Sequence, residues 1–452
     1  MSVRLELVVG AIAAGGGCVA RAADDQVVFV RHALPGEKVV ARVTAETSSY
    51  LRADAVEVLD PSPDRVAPPC PHAGPDRCGG CDWQHVGLPA QRRLKADLVA
   101  EQLRRLAGSE RPIVVEEVPG AGDGLGWRTR VRFAVDDHGR PGLHKHRSHQ
   151  LTLVERCLIA SPGVEAAGVE GHRWPAGSDV EVTASSDGTE RVVSVTSHEP
   201  PRPAARGGRR GRRGGEAVAV PAPGAQGGGW PDVDAGLVVD RRLVRGPGVV
   251  HHRVLGRSYR VSAGVFWQVH PGGAEALAAA VLDGLAPMPG ERVVDLYAGA
   301  GLFAALLGDA VGPGGSVVAV EWQKGACADA RANTARQRQV TVLAGSVERF
   351  VNAGRLGPAV LPGPDLVVLD PPRTGASRTV IEWLRRSRPR RVAYVACDPA
   401  SFARDLRRLG DAGWAMVSVR AFDLFPMTEH VELVAVLEPP RQLEPPRPPI
   451  GD

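Results

Sequence analysis

The feature that most constrains the fold of this chain is a regular alternation of apolar, strand-like runs with helical segments from about residue 250 onward. The runs at 317–321 and 366–370 each end in an acidic residue, and the run at 391–396 ends immediately before Cys397. This alternation predicts a doubly wound α/β sheet, because parallel strands need helical crossovers. The loops after the strands then gather at one edge of the sheet, where α/β proteins place their ligands and reactive groups.

Cys397 lies where the predicted strand 391–396 meets a predicted helix at 401–409, since Pro399 blocks continuation of the strand. The start of a helix and nearby arginines can lower the pKa of a thiol and favour the nucleophilic thiolate. The surrounding residues leave two interpretations open. Cys397 is either a nucleophile or a buried, inert thiol.

A glycine-rich turn follows the first strand of this series. Gly299, Gly301 and Ala304 have the spacing of a loose dinucleotide-binding fingerprint, and Glu321 follows about twenty residues later. Asp295, at the end of the strand, favours S-adenosylmethionine over NAD, because a carboxylate suits the ammonium group of that cofactor and would repel a diphosphate. Glu321 is then expected to bind the ribose hydroxyls, and an NAD enzyme is the alternative.

Two further acidic residues are candidates for chemistry. Asp370 opens the segment Asp370-Pro-Pro-Arg373, which has Arg where amino-methylating enzymes carry a stacking aromatic. Its carboxylate either accepts a hydrogen bond from the edge of a base or caps its own turn. Glu432 interrupts an otherwise apolar terminal strand, and a buried acid is costly without a partner or a function. It is therefore either a general base with a raised pKa or a paired structural acid.

A length of 452 residues predicts further modules outside the α/β domain. The net charge of +4 permits nucleic-acid binding without requiring it. Residues 1–58 predict a small β-barrel, a module that often binds nucleic acid but can also be purely structural. Residues 87–245 predict a helix at 87–107 followed by a mainly antiparallel β-domain, and 250–440 form the α/β domain. An Arg/Gly/Pro-rich insert at about 200–232, either an aid to RNA binding or a passive insertion, and a tail at 441–452 are expected to be disordered. The strand-like runs of the barrel are 3–9, 26–29, 38–43 and 53–58.

The cysteines predict a metal centre rather than disulfides. Cys70, Cys78 and Cys81 lie in a turn-rich loop at 59–86, and Cys157 follows a predicted strand. Four thiolates with a C-x2-C core suit zinc or an iron–sulfur cluster, and the spacing does not separate the two. An odd total of 7 cysteines in a long chain does not fit the paired cysteines of a secreted, disulfide-bonded protein. No apolar run reaches the ~20 residues that span a bilayer, so we expect a cytoplasmic protein without membrane contact.

In this order, the motifs resemble those of the RNA (uracil-5-)-methyltransferases, and among them the 23S ribosomal RNA enzymes with an N-terminal TRAM domain and an iron–sulfur cluster. The matching segments are 17–37, Cys78-Gly-Gly-Cys81, Gln91 with Lys95, 261–270, 295–301, 370–375, Cys397-Asp-Pro399 and His430-Val-Glu432. The resemblance implies a Rossmann-like class I methyltransferase domain. It implies a [4Fe-4S] cluster on the four cysteines named above. It also implies a methyl-donor pocket lined by Gln268, Tyr297, Glu321 and Asp370, to which we add Asp295, Gly299 and Gly301.

The resemblance also implies a covalent mechanism. The Cys397 thiolate adds to C6 of a uracil, C5 takes the methyl group, and Glu432 removes the C5 proton so that Cys397 is eliminated. Asp370 holds the polar edge of the uracil. The chemistry explains these residue types, because C5 is a weak nucleophile until the 5,6 bond is saturated, and the base must leave its stack to be reached. The expected substrate is 23S ribosomal RNA, with transfer RNA as the alternative, and the expected enzyme is a monomer.

Two positions depart from the family pattern, since Asp398 and His270 stand where asparagine is usual. Asp398 adds a negative charge beside Cys397, which raises the pKa of the thiol unless Asp398 is paired. Two other functions are alternatives: a cytosine-C5 methylase with the same covalent chemistry, and an inactive RNA-binding factor. The joint presence of Cys397, Glu432 and Asp370 argues against the inactive factor.

Overall fold

A computed structural model describes residues 3–198 and 229–440 of the chain. The predicted tail at 441–452 lies outside the described residues, as does the predicted insert apart from its last few positions. The chain folds into two compact units that alternate along the sequence. The first unit comprises Met1–Leu94, Val118–Ala274 and Leu424–Glu429, and the second comprises Lys95–Glu117, Glu275–Asp423 and His430–Asp452. The domain boundaries derived from the sequence stay predictions.

The strands are numbered in chain order: β1 (Arg4–Val8), β2 (Cys18–Arg21), β3 (Val27–Arg31), β4 (Lys38–Glu46), β5 (Tyr50–Asp60), β6 (Val115–Glu117), β7 (Arg130–Val135), β8 (Pro141–His144), β9 (Leu151–Leu153), β10 (Asp179–Ala184), β11 (Arg191–Thr196), β12 (Gly236–Val239), β13 (Arg242–Arg245), β14 (Val249–Val254), β15 (Arg257–Ser262), β16 (Arg292–Leu296), β17 (Ser316–Glu321), β18 (Val340–Ala344), β19 (Leu366–Leu369), β20 (Arg391–Ala396), β21 (Ala415–Asp423) and β22 (Glu432–Glu438).

The helices are α1 (Leu88–Gln102), α2 (Pro162–Glu165), α3 (Gly273–Leu285), α4 (Leu302–Val311), α5 (Lys324–Asn333), α6 (Val347–Asn352), α7 (Arg378–Ser387) and α8 (Pro399–Gly410). A π-helical turn at Leu103–Ala107 extends α1, and Gly108 ends it in the left-handed conformation. Short 3-10 turns occur at Val169–Gly171 and Pro358–Val360. None of the helices in the described ranges combines the length and the apolar character needed to cross a lipid bilayer.

The first unit begins with a five-stranded sheet in the order β1-β4-β5-β3-β2. Alternate residues of β3 and β4 are buried, as the two-residue period of a strand requires. Val28, Val30 and Val39 form part of its apolar core. Four of the strands overlap the predicted runs, whereas β2 was not anticipated, because its four residues follow three consecutive glycines and carry a weak pattern.

The first unit continues with a seven-stranded sheet in the order β13-β12-β11-β10-β7-β8-β9 and a separate β14-β15 hairpin. Its neighbouring strands pair antiparallel except for β11 with β12. The prediction of a mainly antiparallel central domain is therefore confirmed. Phe133, Val180 and Leu237 lie in the apolar core of this sheet.

The second unit is built on an eight-stranded sheet in the order β18-β17-β16-β19-β20-β22-β21-β6. The five strands from β18 to β20 pair in parallel. β22 pairs antiparallel with both of its neighbours, and β6 lies parallel to β21 at the edge. Every residue of β19 is buried, as expected of a sheet that is covered on both faces. The predicted α/β sheet is confirmed, with one reversed strand inserted near its end.

A buried ion pair joins the helical segment of the second unit to this sheet. Lys95 Nζ lies 2.6 Å from Asp423 Oδ1, and the two side chains are 0% and 2% exposed. Lys95 lies in α1, and Asp423 is the last residue of β21. A charge at this depth is tolerated only with an opposite charge beside it, so the pair fixes α1 at the end of β21.

Replacing Lys95 by Met should destabilise the protein by ~3–5 kcal/mol, because the Asp423 carboxylate would remain buried without its counter-charge. Urea unfolding would measure the loss. The double variant Lys95→Met, Asp423→Leu should recover part of the stability. As a control, Arg104→Gln breaks an exposed pair with Glu101 and should cost only ~0–1 kcal/mol. A Lys95→Met protein as stable as the control would contradict the role of the buried pair.

Candidate active site

Five candidate residues lie at one edge of the eight-stranded sheet, the edge formed by the carboxyl ends of its parallel strands. The strands that carry these residues end or begin there. Tyr297 follows β16, Glu321 ends β17, Asp370 follows β19 and Cys397 follows β20. Glu432 is the first residue of β22. Because β22 runs opposite to the other four strands, its start lies at the edge where they finish.

The register of β20 and β22 places Cys397 beside Glu432. Ala396 pairs with Leu433 in this antiparallel ladder, so one step forward from β20 and one step back on β22 bring Cys397 opposite Glu432. On the other side of β20, β19 pairs in parallel, with Leu369 opposite Tyr394. Strand pairing therefore gathers a thiol and two carboxylates that are far apart in the sequence.

The Cys397 thiol has a pKa raised to about 12. Burial is the largest cause, followed by the carboxylates of Glu432 and Asp370, while the Arg373 guanidinium lowers it. The start of α8 was expected to lower this pKa, and burial outweighs that effect here. Asp398 also raises the pKa, and it is paired: its Oδ1 accepts a hydrogen bond of 2.7 Å from the Ser401 backbone N–H and caps α8.

Glu432 is only 5% exposed, and its Oε2 accepts no hydrogen bond from the described residues. Burial raises the pKa of Glu432 well above its usual value, the Asp370 carboxylate adds to the rise, and Arg373 opposes it. Burial also raises the pKa of Asp370 to about 7. A carboxylate with a raised pKa is a stronger base than one in water, so this arrangement suits proton removal.

The glycine-rich turn is closed by Glu321. Its Oε2 accepts a hydrogen bond of 2.9 Å from Gly299 N–H, and its Oε1 accepts one of 2.7 Å from Gln323 N–H. Gly301 has φ +86°, and a Cβ at this position would lie 3.2 Å from Ala330 of α5. The glycine is therefore required both by its backbone conformation and by the close approach of α5.

Tyr297 and Asp295 lie on either side of Leu296 at the end of β16. The Tyr297 hydroxyl donates a hydrogen bond of 3.3 Å to Glu348 Oε1, and burial and that carboxylate raise the pKa of Tyr297. Glu348, in the first turn of α6, was not singled out from the sequence, because nothing local distinguishes it from a surface acid. Asp295 is fully buried, which raises its pKa to about 8, and the nearby Ala304 backbone N–H offsets this only in part.

Gln268 and His270 belong to the first unit. Gln268 is 8% exposed and follows Trp267, whose ring stacks on His252 at 5.0 Å. His270 is buried, and its Nδ1 accepts a hydrogen bond of 3.2 Å from Gly272 N–H. The imidazole thus fixes a tight turn through a contact that an asparagine side chain can also make.

The four candidate cysteine ligands line one cavity of about 270 Å³ in the first unit. All four are free thiols: Cys70, Cys78, Cys81 and Cys157. Burial raises the pKa of Cys81 to about 12 and that of Cys157 to about 11. In the part of the chain that the structure describes, no three His, Cys, Asp or Glu side chains are grouped closely enough to hold a single metal ion.

Two family models match this chain. Residues 5–56 match the TRAM domain, and residues 253–439 match the tRNA (Uracil-5-)-methyltransferase family. The second match contains each of the five residues at the edge of the eight-stranded sheet. The prediction of an N-terminal TRAM domain is confirmed.

Curated relatives and a solved structure extend the likeness to the whole chain. An uncharacterized RNA methyltransferase of Streptomyces coelicolor is 48% identical over 96% of this chain and 92% of its own length. The 23S rRNA (uracil(1939)-C(5))-methyltransferase RlmD of Halomonas elongata is 32% identical over 97% of this chain and 90% of its own. The Pyrococcus abyssi tRNA (uracil-54, C5)-methyltransferase, in complex with S-adenosyl-L-homocysteine, shares the fold, with a TM-score of 0.67 and 21% identity over 96% of this chain and 99% of that one.

Replacing Glu432 by Gln should speed alkylation of the Cys397 thiol, since it removes a carboxylate that raises the pKa of this thiol. At a fixed pH of about 9, we expect a rate ~3- to 10-fold above wild type, because the rate follows the thiolate fraction. Iodoacetamide labelling with peptide mass spectrometry would measure it. The control Glu348→Gln changes an acid that contacts Tyr297 and should leave the rate unchanged. Equal rates in wild type and Glu432→Gln would contradict the coupling.

Proposed function

We infer the function of this chain from the premise that it belongs to the RNA (uracil-5-)-methyltransferase family. It is an S-adenosylmethionine-dependent enzyme that methylates C5 of a uracil in RNA. The predicted family, fold class and activity are confirmed, and the NAD enzyme, the cytosine methylase and the inactive factor are set aside. The roles of individual residues, the RNA molecule and the metal centre are proposals.

We propose that Cys397 is the nucleophile and Glu432 the base. The Cys397 thiolate adds to C6 of the uracil, and the electrons of the 5,6 double bond become available at C5. C5 takes the methyl group, and S-adenosylhomocysteine leaves. Glu432 then removes the proton from C5, the 5,6 double bond re-forms, and the bond between sulfur and C6 breaks. The observation that carries this assignment is the register of β20 with β22, which sets Cys397 opposite Glu432.

Asp370 is proposed to hold the polar edge of the uracil. With a pKa raised to about 7, its carboxyl group is partly protonated near neutrality. It can then donate a hydrogen bond to a uracil carbonyl or accept one from N3–H. Glu432 must be ionised to remove a proton, so activity should increase as the pH rises through the raised pKa of Glu432.

The methyl donor is proposed to bind over the glycine-rich turn. Glu321 already receives two backbone hydrogen bonds there, which orient its carboxylate for ribose hydroxyls. The other proposed contacts are Gln268, Asp295, Tyr297, Gly299, Gly301 and Asp370. When bound, S-adenosylmethionine supplies an electrophilic methyl group on a sulfonium. The acidic residues of this site suit that positive charge, since a carboxylate attracts a cation and is ionised more readily beside one.

We propose 23S ribosomal RNA as the substrate. The Halomonas elongata relative, at 32% identity over 97% of this chain, is named for a uracil of that RNA. The Pyrococcus abyssi enzyme is named for transfer RNA, but at 21% identity it supports the fold alone. The TRAM domain at residues 5–56 adds a small sheet of a kind that commonly binds nucleic acid. A monomeric state stays a prediction.

The four cysteines around one cavity are proposed to hold a [4Fe-4S] cluster. All four cysteines line one cavity of about 270 Å³. Four cysteine thiolates are the usual ligand set of such a cluster. The cluster would tie the 59–86 loop to the segment after β9. No step of the methyl transfer above needs it.

An enzyme with Glu432→Gln should accumulate a protein–RNA adduct that survives denaturing gels, because addition and methylation proceed while release of Cys397 is blocked. Cys397→Ala should form no adduct and no 5-methyluridine, yet should bind the methyl donor as wild type does in isothermal titration. The matched control Cys327→Ala removes a buried thiol that contacts Glu321 O and should form product normally. Full activity of Cys397→Ala would exclude the covalent mechanism.

Deleting the gene should remove 5-methyluridine from one position of 23S ribosomal RNA. Nucleoside mapping by mass spectrometry of ribosomal and transfer RNA, with and without the gene, would locate it. A wild-type copy should restore the nucleoside and a Cys397→Ala copy should not. Loss in transfer RNA alone would overturn the proposed substrate while keeping the chemistry.

A further inference from the structure

The loop that follows Asp370 is held on helix α8 by hydrogen bonds to three side chains from adjacent turns of the helix. Ser401 Oγ donates a hydrogen bond of 2.9 Å to the Arg373 carbonyl, and Arg404 Nη2 donates one of 2.6 Å to the Thr374 carbonyl. Asp405 Oδ2 accepts one of 2.8 Å from the Ala376 backbone N–H. Residues 373–376 are thus held by side chains of the helix that begins immediately after Cys397 and Asp398.

The helix side of this contact is itself rigid. Asp405 is fully buried and accepts a hydrogen bond of 2.9 Å from the hydroxyl of Tyr394 in β20. Its Oδ1 lies 3.1 Å from the guanidinium groups of both Arg404 and Arg408. Asp398 in turn caps the helix by accepting a hydrogen bond from the Ser401 backbone N–H. A buried carboxylate with this many partners has one stable arrangement, so it can act as a fixed anchor.

Gly375 shows how closely the loop and the helix approach. Its φ is +78°, and a Cβ at this position would overlap Asp405 Oδ2 and the Arg404 guanidinium. A larger residue at this position would have to displace the side chains of Asp405 and Arg404, besides adopting a strained backbone conformation. The loop at Gly375 therefore lies directly against these side chains of α8.

The side chain that this loop presents to the site is Arg373. It is exposed, and its Nη2 lies 3.4 Å from His430 Nε2. Its positive charge lowers the pKa of the Cys397 thiol, against the effect of the neighbouring carboxylates. It also lowers the pKa of Glu432. The position of one flexible cation thus bears on both proposed reactive groups.

We propose that Ser401, Arg404 and Asp405 are positioning residues that hold the 373–376 segment on α8, and thereby keep the Arg373 guanidinium beside Cys397 and Glu432. The proposal rests on the proposed function, in which Cys397 is the nucleophile. In this proposal α8 positions the loop at 373–376, in addition to packing in the fold. Cutting the bonds to the loop should act on the thiol only through Arg373.

A double-mutant cycle on the full-length protein, without RNA or methyl donor, tests this. The rate of Cys397 alkylation by iodoacetamide should fall ~3- to 10-fold at about pH 9 in Arg373→Gln, because the thiolate loses a favourable charge. Ser401→Ala and Arg404→Gln should each slow it in the same direction. In the Arg373→Gln background, Ser401→Ala should have no further effect, since the residue acts through Arg373.

Two controls separate positioning from general stability. Arg407→Gln breaks an exposed pair with Asp411 on the same helix, and it should leave the alkylation rate unchanged. Ser401→Thr keeps the hydroxyl and should restore the wild-type rate. Additive effects of Ser401→Ala and Arg373→Gln, or equal slowing by Arg407→Gln, would overturn the proposal. So would a wild-type rate in both Ser401→Ala and Arg404→Gln.

The labelling experiment is independent of the methylation assay. Absence of coupling between Ser401 and Arg373 overturns the positioning role alone. Absence of 5-methyluridine in the RNA overturns the proposed function, whereas the labelling result can still be interpreted because that assay contains no RNA. If Ser401→Ala fails to fold, as judged by its urea transition, Arg404→Gln enters the same cycle in its place.

Discussion

The active site depends on one reversed strand. In the eight-stranded sheet, β22 pairs antiparallel between β20 and β21, so the beginning of β22 meets the ends of the parallel strands. A strand in the parallel direction would have carried Glu432 to the opposite edge. Strand pairing thus brings Glu432, the proposed base, to Cys397, the proposed nucleophile, and backbone hydrogen bonds fix this geometry.

Burial sets the chemistry at this edge. Glu432 is buried, Cys397 and Asp370 are half-buried, and all three acquire raised pKa values. The result is a basic carboxylate at the place where we propose that a carbon-bound proton is removed, and a thiol that is mostly protonated in the free enzyme. We infer that charges brought by the bound reactants, and the placement of Arg373, bring the thiol into its reactive state.

Much of the fold was readable from the sequence, because the apolar runs of an α/β sheet are continuous and end at recognisable turns. The strand 391–396 and the sheet that contains it are present as predicted, and the helix predicted at 401–409 is found at Pro399–Gly410. The short strands β2 and β6 were not recognised, since three or four residues carry too little periodicity. Asp405 and Glu348 gave no signal either. Each looks like an ordinary helical acid until the partner from another segment is known.

The sequence by itself determined which residue types stand at the ends of strands, since local pattern decides where a strand stops and a turn begins. It therefore identified Cys397, Asp370, Glu321 and Glu432 as candidates and left their roles open between chemistry and packing. Tertiary structure alone decided which of them meet, because contact between residues distant in the chain depends on strand order and direction. It also decided their protonation, since burial and neighbouring charge arise only when the sheet has assembled.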